Sequence, residues 1–500
     1  MPQFSPRVTL LLIFASLPSW VQAASETPPN VILIVTDEHN FRTLGCYRDQ
    51  LSREQAEMWG RDVVVRTPHL DSLAKEGVIC TRAYATSPVC SPCRATLFTG
   101  RYSHAAGVPT NSSTLDRSIP TIADRLNQQG YHTAYMGKWH LGGNGRPEWS
   151  PNVDGGFQHK KFMFNRGHWK KFSINNGVPS VASRKNGEPS YDVEGADNES
   201  FSTDWLTDRA IDFITDSDPS KPFFTVISYP DPHGPNTVRP PYDHRFDSLR
   251  FVAPRTYRTG VPAPKWLGSK YQHNEFRGSS MSAYFGMVQC IDDNVGRLLK
   301  HLKESGKLDN TLIIMTSDHG DLCYEHDRNN KGNPFEGSAR VPMILRQPKR
   351  IAAGQVYDQA MGTVDLTPTV MGLLNLPGDP KDQGRDLSAE LADVSQTTYD
   401  AENPPITFLR SAGSSTPWVA AVDARYKLVV SEHDVPWLFD RVDDPDELLN
   451  FYRRPGTDGI SERLGKALLE YGIANEDPHL RKAKLSASLD QVLGTGVEAK

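Results

Sequence analysis

Across 500 residues the chain carries 55 Lys and Arg against 60 Asp and Glu, a formal net charge of −5. So even a balance gives no sign of a nucleic-acid binder, and any anion site must be local. Six cysteines are too few for a disulfide scaffold in a chain of this length, and the length itself predicts a large domain beside a smaller one.

Residues 1–23 read as an export signal: Arg7 supplies positive charge, Val8 to Leu17 an apolar run, and Val21-Gln22-Ala23 a small-residue cleavage site. A periplasmic or secreted protein is expected. No later stretch approaches ~20 uninterrupted apolar residues, so no membrane span is expected, and no cysteine follows the cleavage site to take a lipid. Asn111-Ser112-Ser113 and Asn198-Glu199-Ser200 fit the N-glycosylation pattern, which matters only in a eukaryotic secretory route.

Asn30 to Val35 is a continuous β-branched run of the kind buried on both faces of a parallel sheet, and it ends in Thr36-Asp37-Glu38-His39. Thr67 as N-cap and Pro68 in the first turn open a predicted helix that stops at Gly77, and a predicted strand runs from Val78 to Ala85. The alternation continues with helix Ile119 to Gln129, strand His132 to Met136, helix Trp205 to Thr215 and strand Phe223 to Ser228. The longest helix carries Tyr284, Met287, Val288, Ile291, Val295, Leu298 and Leu302 on one face and leads to strand Thr311 to Thr316. Strands alternating with helices predict an α/β fold, a large mostly parallel sheet sandwiched by helices over residues 24–385. Composition turns to Pro, Gly, Asp and Ser near Gly378 to Asp400, and the short strands and helix beyond predict a C-terminal α+β unit over residues 386–500.

Periodicity fails between Gly142 and Thr203, which reads as an insertion of loops. There His159-Lys160-Lys161, Arg166 and His168-Trp169-Lys170-Lys171 interleave with Phe162, Phe164 and Trp169. A solvated basic loop and a surface gripping a polyanion both fit.

Cys90-Ser91-Pro92-Cys93 admits a redox pair or half a zinc site, but no second Cys-x-x-Cys or His-x-x-x-His completes a metal site. Four further motifs fall at or just after predicted strands: Asp37-Glu38, Lys138-Trp139-His140, Asp231-Pro232-His233-Gly234-Pro235, and Ser317-Asp318-His319-Gly320, the last followed by Lys331-Gly332. Singly, each has a dull reading as a cap or a surface charge. Gathered at strand carboxyl ends, they would put carboxylates, imidazoles and cations into one crevice, suited to a divalent metal and an anionic tetrahedral group. A thiolate sits poorly beside a hard, oxygen-loving ion, which hints that Cys90 does not act as cysteine.

Cys90-x-Pro92-x-Arg94 with Thr99-Gly100-Arg101 resembles the signature of type I sulfatases in the alkaline phosphatase superfamily. The resemblance extends through Met136 to Gly142, the Pro-His-Gly-Pro turn, Ser317 to Gly320, Val364 to Thr369 and Arg425 to Leu428. It implies an alkaline-phosphatase-like fold and conversion of Cys90 to formylglycine by a maturation enzyme. Hydrated formylglycine would bind metal and attack sulfur, and loss of its second hydroxyl proton would expel sulfate. By the same resemblance Asp37, Glu38, Asp318 and His319 match metal ligands, Arg94 holds the formylglycine, and Lys138 and Lys331 meet the sulfate oxygens. His140 would take a proton from formylglycine, and His233 would give one to the leaving alcohol.

Three departures stand out. Glu38 replaces a commoner aspartate, His319 brings imidazole where many relatives have asparagine, and Cys93 replaces serine or alanine. The resemblance thus implies Ca2+, with Mg2+ or Mn2+ open because nitrogen softens the site. The expected activity is hydrolysis of O-sulfate esters on a sulfated carbohydrate. A phosphonate, phosphodiester or small aryl sulfate hydrolase, and a non-catalytic binder of sulfated glycans, are the competing readings.

Overall fold

The run Asn30–Asp37 forms strand β1, and its alternation sets the architecture. Val31, Leu33 and Val35 enter one apolar core, Ile32 and Ile34 the other. The computed structural model describes residues 1–3, 28–267, 274–413 and 415–495. The export signal expected over residues 1–23 therefore lies, beyond its first three residues, outside the described residues. Among the described residues no helix is long and apolar enough to cross a membrane.

Strands β2 (Val78–Cys80), β3 (His132–Lys138), β4 (Met163–Phe164), β5 (Phe223–Pro232), β6 (Thr311–Ser317), β7 (Met343–Arg346) and β8 (Gln355–Tyr357) join β1 in one sheet. Its order is β8-β2-β7-β6-β1-β5-β3-β4. Only β7 runs antiparallel to its neighbours. Helices α1 (Pro68–Lys75), α2 (Cys90–Thr99), α3 (Ile122–Gln128), α4 (Ser202–Asp216), α5 (Gly278–Glu304) and α6 (Leu366–Leu373) cover it. α2, α3 and α6 pack on one face; α1, α4 and α5 pack on the other. The expected stripe of α5 is buried from Tyr284 to Leu302. Because β1, β3, β5 and β6 are parallel, their carboxyl ends share one edge.

Helix α7 (Ser388–Ala392) follows, and Leu387 and Leu391 pack into the core of the large unit. A separate antiparallel sheet then runs in chain order through β9 (Thr407–Arg410), β10 (Trp418–Val422), β11 (Tyr426–Ser431) and β12 (Trp437–Asp440). Trp418, Ala420 and Val422 face Tyr84 and Phe335 of the large unit. Val419 and Ala421 face helices α8 (Asp458–Ala474) and α9 (Ala483–Leu493). The buried Lys427 ammonium fastens the two units, donating to Glu336 at 2.8 Å, Glu447 at 2.7 Å and the Pro334 carbonyl at 2.6 Å. Removing either partner of such an ion cluster strands a buried charge.

The structure departs from the sequence reading in four places. The expected strand Val78 to Ala85 breaks after Cys80, and Ala83–Tyr84 joins a small sheet with Arg340–Val341 and Met361–Gly362. The expected helix from Ile119 begins at Ile122, because Thr121 and Asp124 form a capping box. Thr67 does not cap α1; buried Asp292 of α5 accepts from the His69 and Leu70 amides instead. The insertion between Gly142 and Thr203 is mostly loop, as expected, but Phe162, Phe164, Trp169 and Phe172 within it pack into the core with Trp205.

Gly137 allows close approach of β3 and β5. It has φ 106°, and an added Cβ would lie 1.9 Å from the Ser228 carbonyl oxygen. Gly137→Ala should destabilise the fold by ~3 kcal/mol or more, since backbone must move. Thermal denaturation checks this, and an unchanged midpoint would contradict it.

Candidate active site

Each expected site residue sits at the shared strand edge. Asp37 ends β1, and Glu38 follows it with φ 66°. Lys138 ends β3, and His140 lies just beyond with φ 60°. His233 follows β5, and Asp318 and His319 follow β6. Cys90 opens α2, which aims its amino end at the same edge, with Arg94 one turn on. Lys331 comes from the segment after β6, where Cys323, Tyr324, His326, Asp327 and Asn330 all have positive φ. Non-glycine residues held in that region cluster where surrounding structure imposes a conformation.

The Arg94 guanidinium is wholly buried and reaches the ends of four strands. Its Nε donates to Asp318 at 2.9 Å, and one terminal nitrogen donates to the Lys138 carbonyl at 2.6 Å and Ser228 Oγ at 2.8 Å. The other terminal nitrogen lies 3.8 Å from Asp37. Cys90 Sγ is 3.2 Å from His319 Nε2 and 3.8 Å from Asp37 Oδ1. Lys138 pairs with the other Asp37 oxygen. Glu38 turns away from that cluster, with Oε2 2.9 Å from His233 Nε2 and 3.4 Å from Lys331 Nζ, and Oε1 without a partner. His140 is 3 % exposed, and neither ring nitrogen has a hydrogen-bond partner.

Burial raises the Asp37 carboxyl, but Lys138, His233, His168 and Arg94 outweigh it and hold the group well below the usual carboxylate range. Burial prevails at Glu38 and raises it despite Lys331. The Lys331 ammonium is raised: burial opposes its charge, but Cys90, Glu38, Asp37 and Asp318 favour it more. Burial lowers His140 well below the ordinary histidine range, and Lys138 and Arg94 add to the effect. His233 is lowered by burial and Lys331.

Asp37, Cys90, Asp318 and His319 each offer one ligand atom, all within 4.8 Å of one another and all buried. His319 Nδ1 lies 3.0 Å from the Gly320 carbonyl, so it carries the proton and Nε2 turns a lone pair on the cluster. Two carboxylates and an imidazole beside residue 90 fit a hard-to-borderline divalent ion, whereas Glu38, expected as a further ligand, lies outside the cluster with its carboxylate on His233 and Lys331. The Cys93 thiol points elsewhere, to Thr363 Oγ1 at 3.5 Å, and all six cysteines are unpaired. The pairing of Cys90 with Cys93 considered from sequence is therefore absent.

His168 belongs to the site and was not expected there. Its ring stacks on His233 and its Nε2 lies 2.8 Å from Lys138 Nζ. The sequence signal was only a histidine in a basic loop. The loop divides: Phe164 and Trp169 are buried and Lys170 is buried against Asp231 at 2.6 Å, whereas Lys161 stays exposed. Fully satisfied, Lys170 has no charge to offer a polyanion.

Residues 29–376 match the sulfatase family model, and residues 324–473 match the model for the C-terminal part of N-sulphoglucosamine sulphohydrolase. An N-acetylglucosamine-6-O-sulfatase of Bacteroides thetaiotaomicron is 28 % identical, over 78 % of this chain and 76 % of its own. An ulvan-active sulfatase of Formosa agariphila is 27 % identical, over 92 % and 85 %. A solved structure of a protein with its substrate D-glucosamine-2-N,6-O-disulfate superposes with TM-score 0.73 at 22 % identity, covering 91 % of this chain and all of that one. The phosphonate monoester hydrolase of Agrobacterium radiobacter superposes with TM-score 0.67 at 24 % identity, over 91 % and 97 %. The fold is alkaline-phosphatase-like, as expected.

Burial pushes the Cys90 thiol up to about 11, Lys138 and Lys331 pulling against it. On the order of 0.1 % or less would be thiolate near pH 7.5. In unconverted chain, iodoacetamide should therefore leave Cys90 unlabelled until the protein is unfolded, as peptide mass mapping would reveal. Rapid labelling of folded chain at neutral pH would contradict the geometry.

Proposed function

Because the chain belongs to the sulfatase family and is a sulfuric ester hydrolase, we propose that it removes O-sulfate from a carbohydrate using formylglycine at position 90. The observation that carries this reading is Cys90 Sγ within 4.8 Å of ligand atoms from Asp37, Asp318 and His319. Asp37, Asp318, His319 and the oxygen at position 90 would hold a divalent cation, Ca2+ before Mg2+ or Mn2+. When bound, the cation acidifies the hydroxyl it touches and offsets sulfate charge. Formylglycine supplies two hydroxyls once hydrated, one to attack sulfur and one whose proton is later lost to release sulfate.

The chain's own groups do the rest. Arg94 fixes the oxygen at position 90. Lys138, wholly buried, and Lys331, at the rim of the site, donate to sulfate oxygens. His140, with free ring nitrogens and a low proton affinity, accepts the proton lost as sulfate leaves. His233 Nδ1 lies 2.9 Å from the Gly234 carbonyl and keeps its proton there, while Nε2 accepts from the Lys331 ammonium at 2.7 Å; Nε2 would protonate the leaving oxygen from the imidazolium form, after taking up a proton of its own.

A recess of about 380 Å³ opens beside His233, on the side where the alcohol departs. Asn236, Ser280, Asn329 and Asn330 line it beside Met281 and Tyr324, a mix of polar groups for ring hydroxyls and apolar surface for a ring face. The names of the Bacteroides and Formosa relatives agree with a sulfated sugar. An aryl phosphonate is the second reading, motivated by the likeness to the phosphonate monoester hydrolase of Agrobacterium radiobacter. Export through residues 1–23 completes the account, with a catalytic unit that runs past the expected boundary at 385 to include Leu387 and Leu391, and a C-terminal unit beyond it. At 2 % exposure Cys90 must meet its maturation enzyme before folding ends.

Chain co-expressed with a formylglycine-generating enzyme should be about 18 Da lighter than the thiol form. It should desulfate members of a panel that includes N-acetylglucosamine 6-sulfate and compares aryl sulfate with aryl phosphonate. Cys90→Ala should lose at least ~10³-fold in kcat/KM. An unconverted Cys90 with intact glycan binding would leave a non-catalytic binder, and full activity in Cys90→Ala would overturn the mechanism.

A further inference from the structure

We propose that His168 is a positioning residue for desulfation, fixing the ring plane of His233 and the direction of the Lys138 ammonium; this rests on the sulfatase reading above. The two imidazoles lie face to face, with centroids 3.4 Å apart and planes 9° from parallel. Turning the His233 ring out of its plane would drive its edge into His168. A proton donor must keep its nitrogen within hydrogen-bond reach of the leaving oxygen, and small misplacements are costly in rate.

The other edge of His168 acts on Lys138. An ammonium has three protons and only donates, so His168 Nε2, at 2.8 Å, presents its lone pair. Asp37 takes a second proton of the ammonium. Two fixed acceptors aim the third proton, which becomes the one available to a sulfate oxygen.

The segment bearing His168 is anchored for this task. Gly167 has φ 123°, and a Cβ there would meet the Trp169 indole nitrogen at 2.3 Å. That indole donates to the Arg166 carbonyl at 2.9 Å. The Lys170 ammonium donates to Asp231 at 2.6 Å and to the His233 carbonyl at 3.1 Å. One short stretch thus clamps both the ring and the backbone of His233.

The test exploits leaving-group dependence. A sugar alkoxide needs a proton to depart, whereas 4-nitrophenolate does not. His168→Ala and His168→Asn should lower kcat/KM for the best sugar sulfate of the panel by about 10- to 100-fold while sparing 4-nitrophenyl sulfate by comparison. His168→Phe keeps the flat ring without the lone pair. It should close the gap between the two substrates, yet raise KM for both through Lys138. Equal losses on both substrates in all three variants, or no loss in any, would overturn the assignment in protein whose melting temperature matches the parent. A parent chain that carries the aldehyde but cleaves neither substrate would instead refute the sulfatase reading itself, and the role of His168 with it.

Discussion

The site depends on one buried guanidinium. Arg94 has no contact with solvent, so its charge must be balanced by protein carboxylates. It meets Asp318 at the end of β6, the Lys138 carbonyl at the end of β3 and Ser228 on β5, and it approaches Asp37 at the end of β1. A parallel sheet sets these ends on one edge; Arg94 holds them at fixed spacing. It also ties α2 to that edge, one helical turn beyond Cys90. The position of residue 90 is therefore set by an ion pair four residues away, not by packing of its own small side chain.

That constraint governs the electrostatics. Asp37, Glu38 and Asp318 crowd together in a volume that would not tolerate them alone. Arg94, Lys138 and Lys331 match them in number, so a bound divalent cation would leave the crevice net positive and complementary to sulfate. The imidazoles are poised differently. Burial and cationic neighbours disfavour the charged forms of His140 and His233, giving one ring that readily stays neutral and one that readily yields a proton. His168 adds geometry to this, not charge.

Much of this was legible in the sequence because parallel α/β architecture converts local patterns into position. A buried β-branched run such as Asn30 to Val35 implies a strand, and an acidic pair after it implies a place on the carboxyl edge. Five separate motifs could be gathered that way without knowing the order of the strands. What escaped reading depends on distant partners. Lys170 reads as a surface cation until Asp231 is found beside it, 61 residues on. His168 is meaningful only once Lys138 and His233 flank it. The cap on α1 comes from Asp292 of α5, more than 220 residues away, so Thr67 gave the right boundary for an incorrect reason. The break after Cys80 reflects pairing with Arg340–Val341, which no local period encodes.

The central claim is that Asp37, Asp318, His319 and residue 90 enclose one metal-centred reaction site. Counting the metal in aldehyde-bearing, catalytically active chain tests it most directly, by inductively coupled plasma mass spectrometry after exhaustive dialysis against metal-free buffer. The account expects about one tightly held divalent ion per chain, Ca2+ foremost. Full sulfatase activity in chain holding no divalent ion would contradict it.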